Sequence, residues 1–151
     1  FTPESENNFL LLDNISDPGY LGTIIRTADW FGIKSILCSE ETVELFNPKV
    51  VQSTMGSVFR VKTIYGDLKN FISELKNNNV TVCGACMEGK NVLEYKFPEK
   101  SAIVLGSESH GISNKVIRLL DDQLTIPKKG EAESLNVSVA AGIFCSRMQI
   151  S

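Results

Sequence analysis

The chain has 151 residues, 42% of them hydrophobic and 22% charged, with a formal charge of −3. Surface scaling buries about two-thirds of the extended chain's surface at this size, so one core forms without disulfides or metal. The composition argues against long disorder, collagen-like repeats and coiled coil, no run of about 18 apolar residues offers a membrane span, and the first residues do not read as a signal peptide.

Residues 8–13 (NFLLLD) form an apolar run of strand length. After the turn-forming Ser16-Asp-Pro-Gly19, Leu21, Ile24, Ile25, Ala28 and Phe31 recur at helical spacing, and Gly32 sits where a helix end takes a left-handed residue. Residues 33–38 read as a second strand. Asn47-Pro48 opens a short helix. Residues 57–64 look extended, and residues 67–77 look helical with Leu68, Phe71, Ile72 and Leu75 on one face. Strands are expected at 80–86 and 102–105, a helix capped by Ser113, a last strand at 123–126 and a last helix at 136–148. Strands alternating with helices make an α/β fold with a mostly parallel sheet. No repeat or linker divides it, so residues 1–151 read as one domain.

The acidic pI of about 5.2 counts mildly against a nucleic-acid partner, although Arg26, Arg60, Lys62 and Lys128-Lys129 leave room for a local basic patch. Cys83-Gly-Ala-Cys86 matches either a redox pair or half of a zinc site. There is no second C-x-x-C, and the single histidine cannot complete a Cys2His2 set. Within an apolar strand these thiols read as small hydrophobes, and four cysteines used in this way fit a reducing, cytoplasmic setting.

Neither G-x-G-x-x-G nor a P-loop is present, and no G-x-S-x-G surrounds a serine. Three polar, glycine-bearing segments instead follow strands, where open α/β sheets bind ligands. The first leads into the helix with Arg26, the second is Gly106-Ser-Glu-Ser-His-Gly-Ile-Ser113, and the third is Pro127-Lys-Lys-Gly-Glu-Ala-Glu-Ser-Leu-Asn136. Each has an ordinary reading as well. Arg26 suits a structural ion pair with a nearby acid, Glu108 a solvated turn, and Ser134 or Asn136 a helix N-cap.

Taken together, LLLDNISDPGYLGTIIRTADWFGI (10–33), IVLGSESHGIS (103–113) and LTIPKKGEAESLNVSVAAGIF (124–144) resemble the three motifs of the SpoU/TrmH branch of the SPOUT methyltransferases. The resemblance runs in order along nearly the whole chain, and IP-x-x-G-x-x-x-SLNVSVA is its most specific part. It implies a 2'-O-ribose methyltransferase acting on tRNA or rRNA, with S-adenosylmethionine as methyl donor and no DNA or membrane partner. It also implies helices on both faces of the sheet, a C-terminal deep trefoil knot and a homodimer with its active site at the subunit interface. Many members carry an N-terminal RNA-binding domain, which is expected to lie outside this sequence. Gly106, Ile126 and Leu135 match the family's cofactor-contact positions, and Pro127 and Gly130 shape the same pocket. Arg26 matches the motif-one arginine, Glu108 the motif-two acid, and Ser134 and Asn136 the polar pair of motif three; these four are the implied catalytic residues.

Two positions depart from the pattern. Tyr20 stands where the family commonly has asparagine, six residues before the arginine. Ser109 stands where glycine is usual after the acid; a φ above zero there would cost roughly 1 kcal/mol or more. Tyr20 motivates an alternative, a non-catalytic cofactor- or RNA-binding relative. A flavodoxin-like domain for another small ligand is a third reading.

Overall fold

A computed structural model describes residues 1–150. Six strands form one parallel sheet: β1 (Asn8–Asp13), β2 (Ser35–Ser39), β3 (Lys62–Gly66), β4 (Thr81–Asn91), β5 (Ser101–Gly106) and β6 (Asp122–Thr125), in the order β3-β2-β1-β5-β4-β6. The helices are α1 (Pro18–Trp30), α2 (Pro48–Ser53), α3 (Leu68–Asn77), α4 (Asn114–Ile117) and α5 (Val137–Ile150), with a 3-10 turn at Ser57–Phe59. A flavodoxin-like sheet runs 2-1-3-4-5, so this strand order is a different one.

The apolar run of β1 is explained by its burial on both faces, as in other central parallel strands. Leu10 and Leu12 join Ile36, Ile103 and Leu105 in the larger core, beneath α1, α2 and α5. Phe9 and Leu11 join Leu37, Val82 and Val104 in the second, beneath α3 and α4. Helices therefore cover both faces of the sheet, as expected.

Local chemistry sets the element ends. The Asp17 carboxylate accepts from the Gly19 and Tyr20 amides, and Pro18 begins α1 without a donor to satisfy. The helix ends in a Schellman turn. Gly32, at φ 75°, donates to the Asp29 carbonyl, and Ile33 donates to the Ala28 carbonyl at 2.9 Å. Ile33 therefore belongs to this cap, and β2 starts at Ser35 rather than at the expected residue 33.

Three further expectations are corrected. Residues 57–64 are not uniformly extended: Met55 and Gly56, with φ of 51° and 90°, turn the chain into the 3-10 segment before β3. β4 runs beyond residue 86 to Asn91, and Ala85 and Lys90 both pair with Leu124, so the intervening residues bulge from the ladder. α4 is a single turn, and Leu119 and Leu120 reach the second core from beyond it. Cys83 lies in the larger core and Cys86 packs against the second, so strand alternation points the two thiols to opposite faces. No group of three or more His, Cys, Asp or Glu side chains among the described residues is placed to hold a metal.

Candidate functional site

The chain leaves β1 toward β2 and β3 on one side, whereas β5 and β4 lie on the other. The carboxyl ends of β1 and β5 therefore mark a topological switch point, where α/β sheets bind ligands. Asp13 and Gly106 are register partners there. The Asp13 carboxylate is buried and accepts from the Ser113 amide at 2.8 Å, fixing the far end of the loop after β5. Asp13 escaped sequence reasoning; an acid closing an otherwise buried strand was the available signal.

Gly106 has a steric reason to be glycine. A Cβ there would overlap the Gly111 carbonyl carbon and the Ile112 nitrogen, and would lie 2.5 Å from the Gly111 oxygen. The loop folds back over it, with the Gly111 amide on the Ser107 carbonyl at 2.8 Å. Gly111, at φ 67°, takes the left-handed position, and Ser109 has no positive φ. The feared serine strain is absent; the Ser109 hydroxyl instead lies 2.8 Å from His110 Nδ1.

The second and third motifs meet at the start of α5. Glu108 Oε1 accepts from the Val137 amide at 3.1 Å. Asn136 Oδ1 accepts from the Ser138 amide at 2.8 Å and from the Ser138 hydroxyl. Both residues therefore satisfy donors at a helix N-terminus, where negative charge is favoured. The N-cap reading of Asn136 describes its geometry here; Glu108 is an exposed turn residue, as its ordinary reading expects, and in addition accepts from the Val137 amide. Along the connection from β6, Ile126 is half-buried against the larger core, whereas Pro127, Gly130, Ser134 and Leu135 are exposed.

Arg26 stands apart from this cluster. It is exposed on α1 and, among the described residues, makes no ion pair or side-chain hydrogen bond. The acid nearest along its helix, Asp29, is taken by Arg60 Nε at 2.8 Å and Ser57 Oγ at 2.7 Å. These hydrogen bonds, from Ser57 and then Arg60, hold the Asp29 carboxyl below its ordinary range. Arg26 and Asp29 share an open groove of about 760 Å³ with Trp30, Met55, Arg60 and, from α5, Gly142. Gly106 and Ile126 do not line that groove. Tyr20 is in the first turn of α1, half-buried against the larger core.

Geometry thus defines a parallel α/β domain whose ligand-type loops converge at the β1/β5 switch point, with an unpaired arginine on the adjoining helix. A model of the SpoU rRNA Methylase family matches residues 7–146. The chain belongs to the SpoU methylase family. It is 38% identical over 136 residues to 23S rRNA (guanosine(2553)-2'-O)-methyltransferase RlmP of Bacillus subtilis, covering 89% of this chain and 55% of that one. Among solved structures, an AdoMet-bound rRNA methyltransferase from Sinorhizobium meliloti superposes with a TM-score of 0.92 at 30% identity, covering 99% of this chain and 58% of that one. The SpoU methyltransferase AviRb from Streptomyces viridochromogenes, in complex with AdoMet, gives 0.87 at 26% identity, with 96% and 60% covered. The chain spans a little over half the length of RlmP.

Proposed function

We propose that the chain is the catalytic domain of an RNA 2'-O-ribose methyltransferase, moving a methyl group from S-adenosylmethionine to a ribose 2'-hydroxyl of tRNA or rRNA. The observation that carries this reading is the meeting of the second and third motifs at the switch point, through Glu108 and the start of α5. Membership of the SpoU family and the AdoMet-bound neighbours supply the chemical class.

The residues present suit the donor. Gly106 carries no side chain, which lets the Gly111–Ile112 backbone of the β5 loop close against the strand end and shape the loop beside the proposed donor site. We place an adenine ring against the apolar side chains of Ile126 and Leu135, with backbone groups near Pro127 and Gly130 as its polar contacts, the mixed lining usual for such ligands. S-adenosylmethionine supplies a methyl group on a positively charged sulfur. The chain's task is to hold a 2'-oxygen in line with it, and positioning of this kind removes a large part of such a barrier. Glu108 and Asn136 fix the start of α5 on the β5 loop, and Ser134 adds a hydroxyl on the same connection.

A guanidinium has no lone pair to spare for a proton, so Arg26 binds rather than accepts it. It engages the phosphate beside the target nucleotide and stabilises the developing alkoxide as the hydroxyl proton passes to solvent water. Its lack of a carboxylate partner supports that role. Arg26→Ala abolishes transfer and leaves cofactor binding intact; retained transfer would contradict the role.

The finer architecture is part of the same proposal. A deep trefoil knot is supported by the contact of the C-terminal helix with the segment after β4, where Arg147 donates to the Leu93 carbonyl at 2.8 Å. Homodimerisation is supported by Trp30 and Met55, exposed by 84 and 68% in the groove that carries Arg26. A second copy seated there would bring the arginine to its partner's cofactor pocket, which the monomer's groove does not reach. The greater length of the relatives supports an RNA-binding domain outside residues 1–151. Thiols facing opposite sides of the sheet fit a reducing, cytoplasmic setting. Nothing in the fold favours lost activity: Tyr20 packs into the first turn of α1 and leaves Arg26 free.

The test is a calorimetric titration with S-adenosylmethionine at a concentration where sizing shows a dimer. Saturable binding, one site per chain, is expected. A folded dimer that binds none would overturn the reading.

A further inference from the structure

Segment 55–60 is shaped to reach α1. Two consecutive left-handed residues, Met55 and Gly56, turn the chain so that the buried Ser57 hydroxyl and the Arg60 guanidinium both end on Asp29 Oδ2. Asp29 lies three residues after Arg26 on the same helix, a spacing at which an arginine and a carboxylate pair readily. Arg26 nevertheless has no such bond, and both arginines line one groove. The arrangement is a competition for one acid, which the arginine from the distant segment wins.

We infer that Arg60 is a positioning residue for Arg26: by occupying Asp29 it leaves the Arg26 guanidinium unpaired and available to a phosphate. The inference rests on the proposed methyl transfer for its purpose, but its physical content concerns two arginines and one carboxylate. Without Arg60, the Asp29 carboxylate turns to Arg26, and part of the Arg26 population is held away from the RNA. Exposed helical ion pairs are weak, so the expected loss of free Arg26 is about two- to five-fold. Asp29→Asn removes the trap, so neutralising Asp29 restores Arg26 even where Arg60 is missing. A contact of Arg60 with RNA, or a purely structural role, predicts no such rescue.

The experiment follows the rate at which phenylglyoxal modifies Arg26, read by peptide mass spectrometry, in the wild type, Arg60→Leu, Asp29→Asn and the double variant. Arg60→Leu slows modification two- to five-fold, Asp29→Asn leaves it at the wild-type rate, and the double variant returns to that rate. Methyl transfer from labelled S-adenosylmethionine to unmodified tRNA and rRNA transcripts follows the same order. An unchanged Arg26 rate in Arg60→Leu, or a double variant as slow as Arg60→Leu, overturns the inference. If Arg60→Leu does not fold, Arg60→Met gives the same comparison, because it keeps the unbranched apolar stem and removes every donor to Asp29. Wild-type protein that transfers no methyl group refutes the proposed function instead, while the modification rates still decide the role of Arg60.

Discussion

Replacing Gly106 with alanine puts one methyl group at the place where the β5 loop folds back on its strand. The three nearest atoms are all backbone, from Gly111 and Ile112, and the Gly111 oxygen would lie 2.5 Å from the new carbon. A side chain could rotate away, but this backbone is tied by the Ser107–Gly111 bond and by Ser113 on buried Asp13, each at 2.8 Å. Overpacking of a close-fitted site costs about 1–3 kcal/mol, and immobile neighbours place this one at the upper end. For a chain of this size that lowers Tm by roughly 5–10 °C. The displaced loop also carries Glu108 off the Val137 amide, so S-adenosylmethionine binding falls with stability. Thermal melts and calorimetric titration of Gly106→Ala read both effects. Gly130→Ala is the control: no atom lies within 4 Å of its Cβ, and its stability stays within about 0.5 kcal/mol of wild type. If Gly106→Ala melts within a degree of wild type and binds the cofactor normally, the close approach does not shape the site.

Further outcomes follow from other contacts. Asn136→Ala loses the cap on α5 and about 1 kcal/mol by urea unfolding, whereas Asn136→Asp retains most of it; equal stability of the two would refute the capping role. Thiol labelling of the native chain reaches half-exposed Cys86 first, because burial pushes Cys38 and Cys145 up to about 12. Mild oxidation produces no Cys83–Cys86 disulfide, and a two-dalton loss within that peptide would contradict the strand geometry. Asp122 is held low by Lys90 and Tyr95, and Asp29 by Ser57 and Arg60; in Glu6, burial acts upward and the bonds from Ser35 and Thr2 outweigh it. Depressed carboxylates contribute stability above their unfolded values near pH 4, which is lost as pH falls through the lower folded values. The urea midpoint is therefore steady from pH 7 to 5 and declines below about pH 4; a rise on acidification would contradict the assignment.

The sequence made legible whatever depends on neighbours along the chain. β1 was plain because both its faces are buried, and the end of α1 because a Schellman turn needs its glycine at residue 32. The bulge in β4 and the turn before β3 were not, because a register shift against Leu124 and an anchor on Asp29 lie outside any local window. The site divides in the same way. Its loops were visible as glycine-bearing segments after strands, but Asp13 meets Ser113 from 100 residues away. Arg26 shows the limit most clearly. Local spacing favours an ion pair with a nearby acid, and the fold gives Asp29 to Arg60 instead.

The most direct test of the central claim is methyl transfer itself. The protein is incubated with methyl-labelled S-adenosylmethionine and unmodified tRNA and rRNA transcripts, and the RNA is then hydrolysed with alkali. A methylated 2'-oxygen blocks cleavage at its own linkage, so the account predicts label in alkali-resistant dinucleotides, lost in Arg26→Ala. Label that appears only in mononucleotides would mean methylation of bases, and would contradict a ribose 2'-hydroxyl as the acceptor.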